Sequence, residues 1–107
     1  MRIIARSTLK IFVSKHVGHK DYAALKAAVD AWFSEVSKAD WRNMTDVKRS
    51  YATASGISAE RIVFNIKGND YRSVAAVDFE KSIVWIKWLG SHRNYDKINV
   101  EDIKYHG

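Results

Sequence analysis

The sequence predicts an α+β fold in which a short N-terminal strand and two to three helices pack on one face of a mainly antiparallel sheet. Apolar residues recur at helical spacing through much of the N-terminal half. From Arg61 the period changes to two, which is typical of half-buried strands. Short turns separate the later runs, so consecutive strands should pair as a three-stranded antiparallel meander. Helices followed by such a meander favour helices packed on one face of the sheet.

A short strand and two helices are expected at the N-terminus. Residues 1–5 are predicted as the strand, and Ser7 or Thr8 as the N-cap of a helix over 9–16. The clearest amphipathic helix should follow Asp21 as its cap, because six apolar residues share one stripe. These residues are Leu25, Ala28, Val29, Trp32, Phe33 and Val36.

The middle of the chain is predicted to hold one short helix and a loop. After a break at 37–41, Thr45 and Asp46 could start a helix that runs to about Tyr51. Residues 52–58 are small and polar, so a loop is expected there.

Three strands are predicted over 61–66, 71–79 and 83–89. Residues 67–70 read Lys-Gly-Asn-Asp, which has the turn chemistry of a hairpin. In the first of these strands the alternating apolar residues Ile62, Phe64 and Ile66 should face the core.

The third strand contains two tryptophans, and its alternation assigns them to opposite faces. Trp88 should share a face with Val84 and Ile86, whereas Trp85 should share the other face with Lys87. We therefore expect at least one of the two indole rings to belong to the core and one to be available to a ligand.

Length and charge point to one domain, spanning 1–107, with a polyanionic partner. A chain of 107 residues has no room for two independent cores. Its 18 Lys and Arg exceed its 12 Asp and Glu, giving a formal charge of +6. Such an excess favours nucleic acid through phosphate contacts. The alternatives are a basic surface that serves solubility or one covered by an acidic protein.

Several classes of protein are excluded by composition. The chain has no Cys, so it has neither a disulfide framework nor a thiolate metal site. The N-terminal residues 1–6 are too short and too charged for a signal peptide. No apolar stretch approaches membrane-spanning length. We therefore expect a cytoplasmic protein that does not associate with a membrane.

The segment after the last predicted strand is the most informative part of the sequence. It reads Gly90-Ser91-His92-Arg93-Asn94-Tyr95-Asp96-Lys97. Reactive side chains are often displayed on loops at strand ends, and here His, Arg, Tyr, Asp and Lys all occur within six positions. In a basic chain, this cluster indicates chemistry on nucleic acid.

Three segments carry a recognisable pattern: Val63-Phe64-Asn65-Ile66 with the Gly68-Asn69 turn, Tyr71-Arg72, and the run over 90–97. In these segments the chain resembles the HigB toxins of bacterial type II toxin–antitoxin systems, within the RelE-like superfamily. The last motif usually reads Thr-His-x-x-Tyr-Asp in the family, so Ser91 replaces Thr here. Residues 1–10 are also similar to the family's first strand and helix, whereas 39–57 do not match its pattern.

This resemblance implies a RelE-like fold and a ribosome-dependent messenger-RNA endonuclease. A cognate helix-turn-helix antitoxin would hold such an enzyme inactive. The family uses the 2′-hydroxyl of the RNA as nucleophile, so neither a metal nor a cofactor is expected. Neither the codon preference nor the oligomeric state of the toxin follows from the resemblance.

Cleavage through the 2′-hydroxyl needs a base, an acid and cations that stabilise charge on phosphorus. His92 is the best-placed titratable group, although it could instead cap the strand end through its backbone. Tyr95 could be an acid or base if cations lowered its pKa, could stack on a base, or could fill a corner of the fold. Asp96 would repel phosphate, so orienting His92 or pairing with Arg72 suits it better.

Arg72 is expected to contact phosphate, because its guanidinium fork matches two phosphate oxygens. A solvated side chain or a pair with Asp78 is the alternative. Lys97 completes the expected catalytic set of Arg72, His92 and Tyr95. Four further cations are expected to bind the RNA backbone: Arg61, Lys67, Lys87 and Arg93.

The other histidines, His16, His19 and His106, are scattered and have no metal-ligand spacing, so no metal site is expected. Two other functions use the same basic surface. One is an RNA-binding module that blocks translation without cutting. The other is a domain whose basic face serves a protein partner.

Overall fold

A five-stranded mixed sheet with helices on one face forms the described part of the chain, residues 1–58 and 60–98 of the computed structural model. Its elements in chain order are β1 (Arg2–Ile4), α1 (Arg6–Ser14), α2 (Tyr22–Lys38), α3 (Met44–Ser50), β2 (Ser55–Gly56), β3 (Arg61–Ile66), β4 (Tyr71–Asp78), β5 (Ile83–Ser91) and α4 (His92–Tyr95). The predicted α+β class is confirmed.

The strand order is β1-β5-β4-β3-β2. β3, β4 and β5 form the predicted antiparallel meander, and β1 pairs in parallel with β5. The loop predicted over 52–58 is wrong in part, because Ser55 and Gly56 pair with Val63 and Ile62 as β2. A strand of two residues has no alternation to read in the sequence, and its pairing depends on the neighbouring β3.

The core lies between the helices and one face of the sheet. As predicted, Ile62, Phe64 and Ile66 are buried there with the apolar stripe of α2. Phe64 is fully buried, and its ring centroid lies 5.2 Å from that of Trp32 on α2 and 5.9 Å from that of Trp41. Such aromatic packing contributes strongly to the burial energy of a small domain.

Two helix starts differ from the prediction. Ser7 and Thr8 lie inside α1, which begins at Arg6 after Ala5, a residue with a left-handed φ of 70° and no capping side chain. The chain has to turn as soon as it leaves β1, and this turn sets the start of the helix. Asp21 does stand at the N-cap of α2, but its side chain makes no capping hydrogen bond. α1 also ends at Ser14, before His16.

A β-bulge in β5 corrects the predicted positions of the tryptophans. Val74 pairs with Trp88 but Ala75 pairs with Ile86, so Lys87 is an extra residue on the β5 side. The extra residue moves Trp88 away from the core face, and Leu89 takes its place there. Both Trp85 and Trp88 therefore lie on the face that α1, α2 and α3 leave uncovered.

We call this uncovered surface of β3, β4 and β5 the open face. Its residues follow from the alternation of β3 and β4 and from the bulge in β5. They include Arg61, Asn65, Arg72, Val74, Ala76, Trp85 and Trp88. None of the helices in residues 1–58 and 60–98 is both long and apolar enough to cross a bilayer.

Candidate functional site

Arg72 lies at one end of the open face and is held from two sides. Its Cα partners are Asn65 on β3 and Gly90 on β5. The guanidinium Nε donates to Oδ1 of Asn65 at 3.2 Å, and Cζ lies 4.7 Å from the ring centroid of Tyr95. The amide contact and the cation–π contact together fix the direction of the fork.

The alternative pair of Arg72 with Asp78 is not formed. The two residues are six positions apart on one strand, which corresponds to about 20 Å. Asp78 instead accepts the backbone N–H of Lys81 at 2.9 Å. No carboxylate within the described ranges forms a salt bridge with Arg72, so none of these residues offsets its charge by direct pairing.

The segment after β5 forms a one-turn helix, where the sequence suggested only a polar tail. Ser91 caps this turn, since its Oγ accepts the backbone N–H of Asn94 at 3.1 Å. The backbone N–H of His92 donates to the carbonyl of Asp70 at 3.0 Å, which ties α4 to the β3–β4 hairpin. His92 and Tyr95 are three residues apart and therefore neighbours on the turn.

The backbone of His92 makes the hydrogen bond to Asp70, and its imidazole is not needed for that contact. Its side chain is 41% exposed, and Nδ1 lies 3.6 Å from Oδ2 of Asp96. That separation is longer than a hydrogen bond but allows an ion pair when the imidazole is protonated. Of the two expectations for Asp96, the geometry matches a partner of His92.

Two aromatic side chains, Trp88 and Tyr95, lie at the edge of the site. The ring centroids of Trp88 and Tyr95 are 6.1 Å apart. The Trp88 ring lies over Gly90, because a Cβ at that position would come within 2.4 Å of the indole. Since Gly90 is opposite Arg72 in the sheet, the indole, the phenol and the guanidinium meet at one end of the open face.

Asn65 and Trp88 belong to this arrangement but were missed as site residues. Asn65 stands in the quoted family motif, which was a usable signal, and the structure places it directly opposite Arg72. Gly90 after an aromatic strand residue was a second signal, since a strand glycine often marks a close approach. The position of Trp88 depends on the bulge, which the alternation did not reveal.

The remaining expected residues lie at varying distances from Arg72. Arg93 and Lys97 are exposed on and after α4. Lys87 is the bulge residue, and Arg61 lies at the other end of β3, about 13 Å along the strand from Asn65. The structure therefore brings together Arg72, His92 and Tyr95, with Arg93 and Lys97 next to them along the chain and Arg61 at the far end of the open face.

Lys67 is the expected cation that is most occupied by carboxylates. Its Nζ lies 2.7 Å from Oδ2 of Asp70 and 4.0 Å from Oδ2 of Asp21. The hydrogen bond to Asp70 raises the pKa of Lys67 above its usual value. This ammonium supports the hairpin and is less available to phosphate than Arg72.

A separate concavity lies on the helical side of the molecule, away from the open face. It measures about 540 Å³, runs between α1 and α2, and is lined mainly by apolar side chains. Two of its cations are engaged, with Arg6 4.0 Å above the ring of Phe33 and Lys26 2.8 Å from Asp30. With an apolar lining and these cations engaged, the concavity is a weaker candidate for acid–base catalysis than the site around Arg72.

Within residues 1–58 and 60–98, no group of three or more His, Asp or Glu side chains could hold a metal ion. His106 lies outside the described residues.

Comparison with known proteins adds one finding to this geometry. Residues 25–98 match the family described as HigB_toxin, the RelE-like toxic component of a toxin-antitoxin system. The match covers more than half of the chain and includes every residue placed at the site. It also runs through 39–57, which corrects the expectation that this segment does not match the family's pattern. Among curated proteins, no significant match is found.

Proposed function

The chain belongs to the HigB toxin family, the RelE-like toxic components of toxin–antitoxin systems, and from this premise we propose that it is a ribosome-dependent endonuclease of messenger RNA. The observation that carries the proposal is the arrangement around Arg72. A guanidinium without a carboxylate partner in the described structure lies against Tyr95, on the same turn as His92. A phosphate-binding cation beside two titratable groups is what phosphodiester cleavage requires.

The proposed reaction uses the RNA as its own nucleophile. The 2′-oxygen attacks the adjacent phosphorus and loses its proton to a base, and the bond from phosphorus to the 5′-oxygen breaks. An acid gives a proton to that leaving oxygen. The products are a 2′,3′-cyclic phosphate and a 5′-hydroxyl. Negative charge accumulates on the non-bridging oxygens, where the fork of Arg72 stabilises it.

His92 and Tyr95 are the proposed proton-transfer groups. Both project from α4, and either can take the proton of the 2′-hydroxyl or supply the proton of the leaving oxygen. Asp96 would hold the imidazole of His92 in place. Lys97 and Arg93, exposed beside the turn, would contact neighbouring phosphates.

The family also implies a protein partner, an antitoxin. We propose a helix-turn-helix antitoxin that holds the enzyme inactive, and a cytoplasmic site of action, where ribosomes translate the target messages.

Primer extension on a ribosome-bound message tests the proposed reaction. We expect cuts only when ribosomes are present, with cyclic phosphate and 5′-hydroxyl ends. A single 2′-deoxy substitution 5′ of the cut should abolish cleavage at that site, because the nucleophile is gone. Cleavage that survives this substitution would overturn the mechanism. Blocked translation without any cut would support the non-catalytic RNA-binding module instead.

Growth arrest tests His92 separately. Expression of the chain alone should arrest a bacterial host, and His92→Ala should relieve the arrest without lowering the amount of folded protein. His19→Ala is the matched control, since this exposed imidazole lies before α2, away from the site. A well-folded His92→Ala variant that stays toxic would remove His92 from the catalytic set.

A further inference from the structure

The bulge at Lys87 gives the open face two tryptophans, and the site around Arg72 uses only one of them. Trp88 pairs with Val74 and reaches Tyr95, whereas Trp85 pairs with Ala76. Val74 and Ala76 are two residues apart on β4, so the two indoles start about 7 Å apart along the sheet. Consecutive bases of an extended single strand can stack on aromatic rings spaced in this way.

Trp85 lines a concavity of its own. Arg61, Ala76 and Trp85 form one row across β3, β4 and β5. The small side chain of Ala76 lies between two large ones and leaves a concavity of about 470 Å³ at this end of the open face. We call it the Trp85 pocket, and its lining includes Arg61, Ala76, Asp78, Trp85, Lys87 and Glu60.

The chemistry of the Trp85 pocket is mixed. The indole is half-buried, so part of its ring is accessible to a ligand. The Nζ of Lys87 lies over the ring of Trp85, 6.0 Å from its centroid. Asp78 and Glu60 also line the pocket; one oxygen of Asp78 accepts the backbone N–H of Lys81, and a carboxylate has a second acceptor oxygen for a ligand. An aromatic surface, a cation and acceptors together suit a nucleotide better than a purely apolar or purely anionic ligand.

We propose that the Trp85 pocket binds a base of the RNA one nucleotide further from the scissile phosphate than the base that stacks on Trp88. The base stacks on Trp85, and Lys87 contacts the adjoining phosphate. The carboxylates accept hydrogen bonds from an exocyclic amino group, which adenine and cytosine have and uracil lacks. The pocket therefore favours adenine or cytosine over uracil. This inference rests on the proposed function and gives that site a preference for sequence.

Binding of short oligonucleotides tests the pocket without requiring cleavage. The probes are fluorescein-labelled hexamers of 2′-O-methyl adenosine, cytidine and uridine, which have no free internal 2′-hydroxyl. Anisotropy should show tighter binding of the adenosine and cytidine hexamers than of the uridine hexamer. Trp85→Leu should weaken binding of the two preferred hexamers by about 5- to 150-fold, since one stacked base contributes about 1–3 kcal/mol.

Three variants separate the parts of the pocket. Phe33→Leu is the matched control, an aromatic-to-leucine change on the helical side, and should bind all hexamers as the unchanged chain does. Asp78→Asn should reduce the preference for adenosine and cytidine over uridine. Lys87→Ala should weaken all three hexamers alike and reduce the slope of log affinity against log salt by about 0.7.

The outcomes separate this inference from the proposed endonuclease. Unchanged hexamer binding by a folded Trp85→Leu variant, or equal affinity of the unchanged chain for all three hexamers, would overturn the pocket. Weakened binding by Trp85→Leu in a chain that never cuts ribosome-bound message would support the pocket and reject the endonuclease. Thermal melting of each variant shows that it remains folded.

Discussion

Arg72 is positioned by an amide and an aromatic ring, and neither of these partners carries a negative charge. A carboxylate in the place of Asn65 would orient the guanidinium at least as well, because a charge-assisted hydrogen bond is stronger. It would also offset the charge that the phosphate needs. A neutral partner fixes the direction of the fork and leaves its full charge for the substrate.

Substitutions at Arg72 measure its contribution to catalysis. Arg72→Ala should lower the cleavage rate by about two to four powers of ten, as expected when a partner of transition-state charge is lost. Arg72→Lys should recover only part of the rate, because it restores the charge without the fork. Single-turnover cleavage on ribosomes gives the rates. If the melting temperature falls strongly while the activity of the folded protein persists, Arg72 is structural.

Substitutions at Asn65 separate two effects on Arg72: loss of the hydrogen bond that orients it, and introduction of a negative charge beside it. Asn65→Ala should lower the rate through a less fixed Arg72. Asn65→Asp keeps an acceptor in the same place but should lower the rate further, because its carboxylate competes with phosphate for the guanidinium. The same single-turnover measurement applies, with melting temperature as the control. A rate for Asn65→Asp above that for Asn65→Ala would contradict this account.

For single residues, the sequence predicted the site residues that lie in the motifs but not the residues that contact them in the fold. Arg72, His92 and Tyr95 stand in segments that can be read directly along the chain. The contact of Asn65 with Arg72 required the register of β3 on β4. The position of Trp88 required a bulge, whereas strict alternation had placed this residue on the same face as Val84 and Ile86.

Among the elements, β5 carries the strictest steric requirement. Gly90 lies under the Trp88 indole, where an added Cβ would meet ring carbons at 2.4 Å and 2.6 Å. Gly90→Ala should therefore displace the ring from Tyr95, destabilise the fold by about 1–3 kcal/mol, and lower the cleavage rate. Chemical denaturation and the cleavage assay measure the two effects.

A double-mutant cycle isolates the cause. In a Trp88→Ala background the ring is absent, so adding Gly90→Ala should change the unfolding free energy far less than it does alone. An equal cost in both backgrounds would show that the backbone at Gly90, and not the indole, sets the requirement for glycine.

The longer elements were predictable because their patterns repeat over several residues. The stripe of α2 and the alternation of β3 gave the correct core residues. The start of α1, the two residues of β2 and the single turn of α4 were not predicted. Each of these depends on the position of the neighbouring strand. A segment this short also has too few residues to show a hydrophobic period.

For the molecule as a whole, stability should depend on pH in the alkaline range. Burial, and then the hydrogen bond that its hydroxyl donates to Glu35, raise the pKa of Tyr51 above its usual value. In the unfolded chain this phenol ionises near its ordinary pKa of about 10. The folded state therefore holds the proton more tightly, so the stabilisation is complete below about pH 10 and is lost as the pH rises further.

Tyr51→Phe tests this dependence. Between about pH 10 and 11 the unfolding free energy should fall more steeply in the unchanged chain than in the variant, since only the former loses a proton at this site. Burial also raises the pKa of Tyr71, but that contribution is present in both proteins and cancels in the difference. Parallel slopes in urea titrations over this range would contradict the assignment.

The proposed chemistry is divided between two parts of the fold that differ in how easily they open. Arg72 sits on β4, and β4 pairs on both sides with β3 and β5. His92 and Tyr95 sit on a turn of four residues whose ties include the cap of Ser91 and the bond from His92 to Asp70. Backbone amides of β4 should therefore exchange hydrogen slowly and those of α4 quickly. Mild denaturant would then abolish cleavage while the sheet remains intact, because inactivation requires only one turn to open.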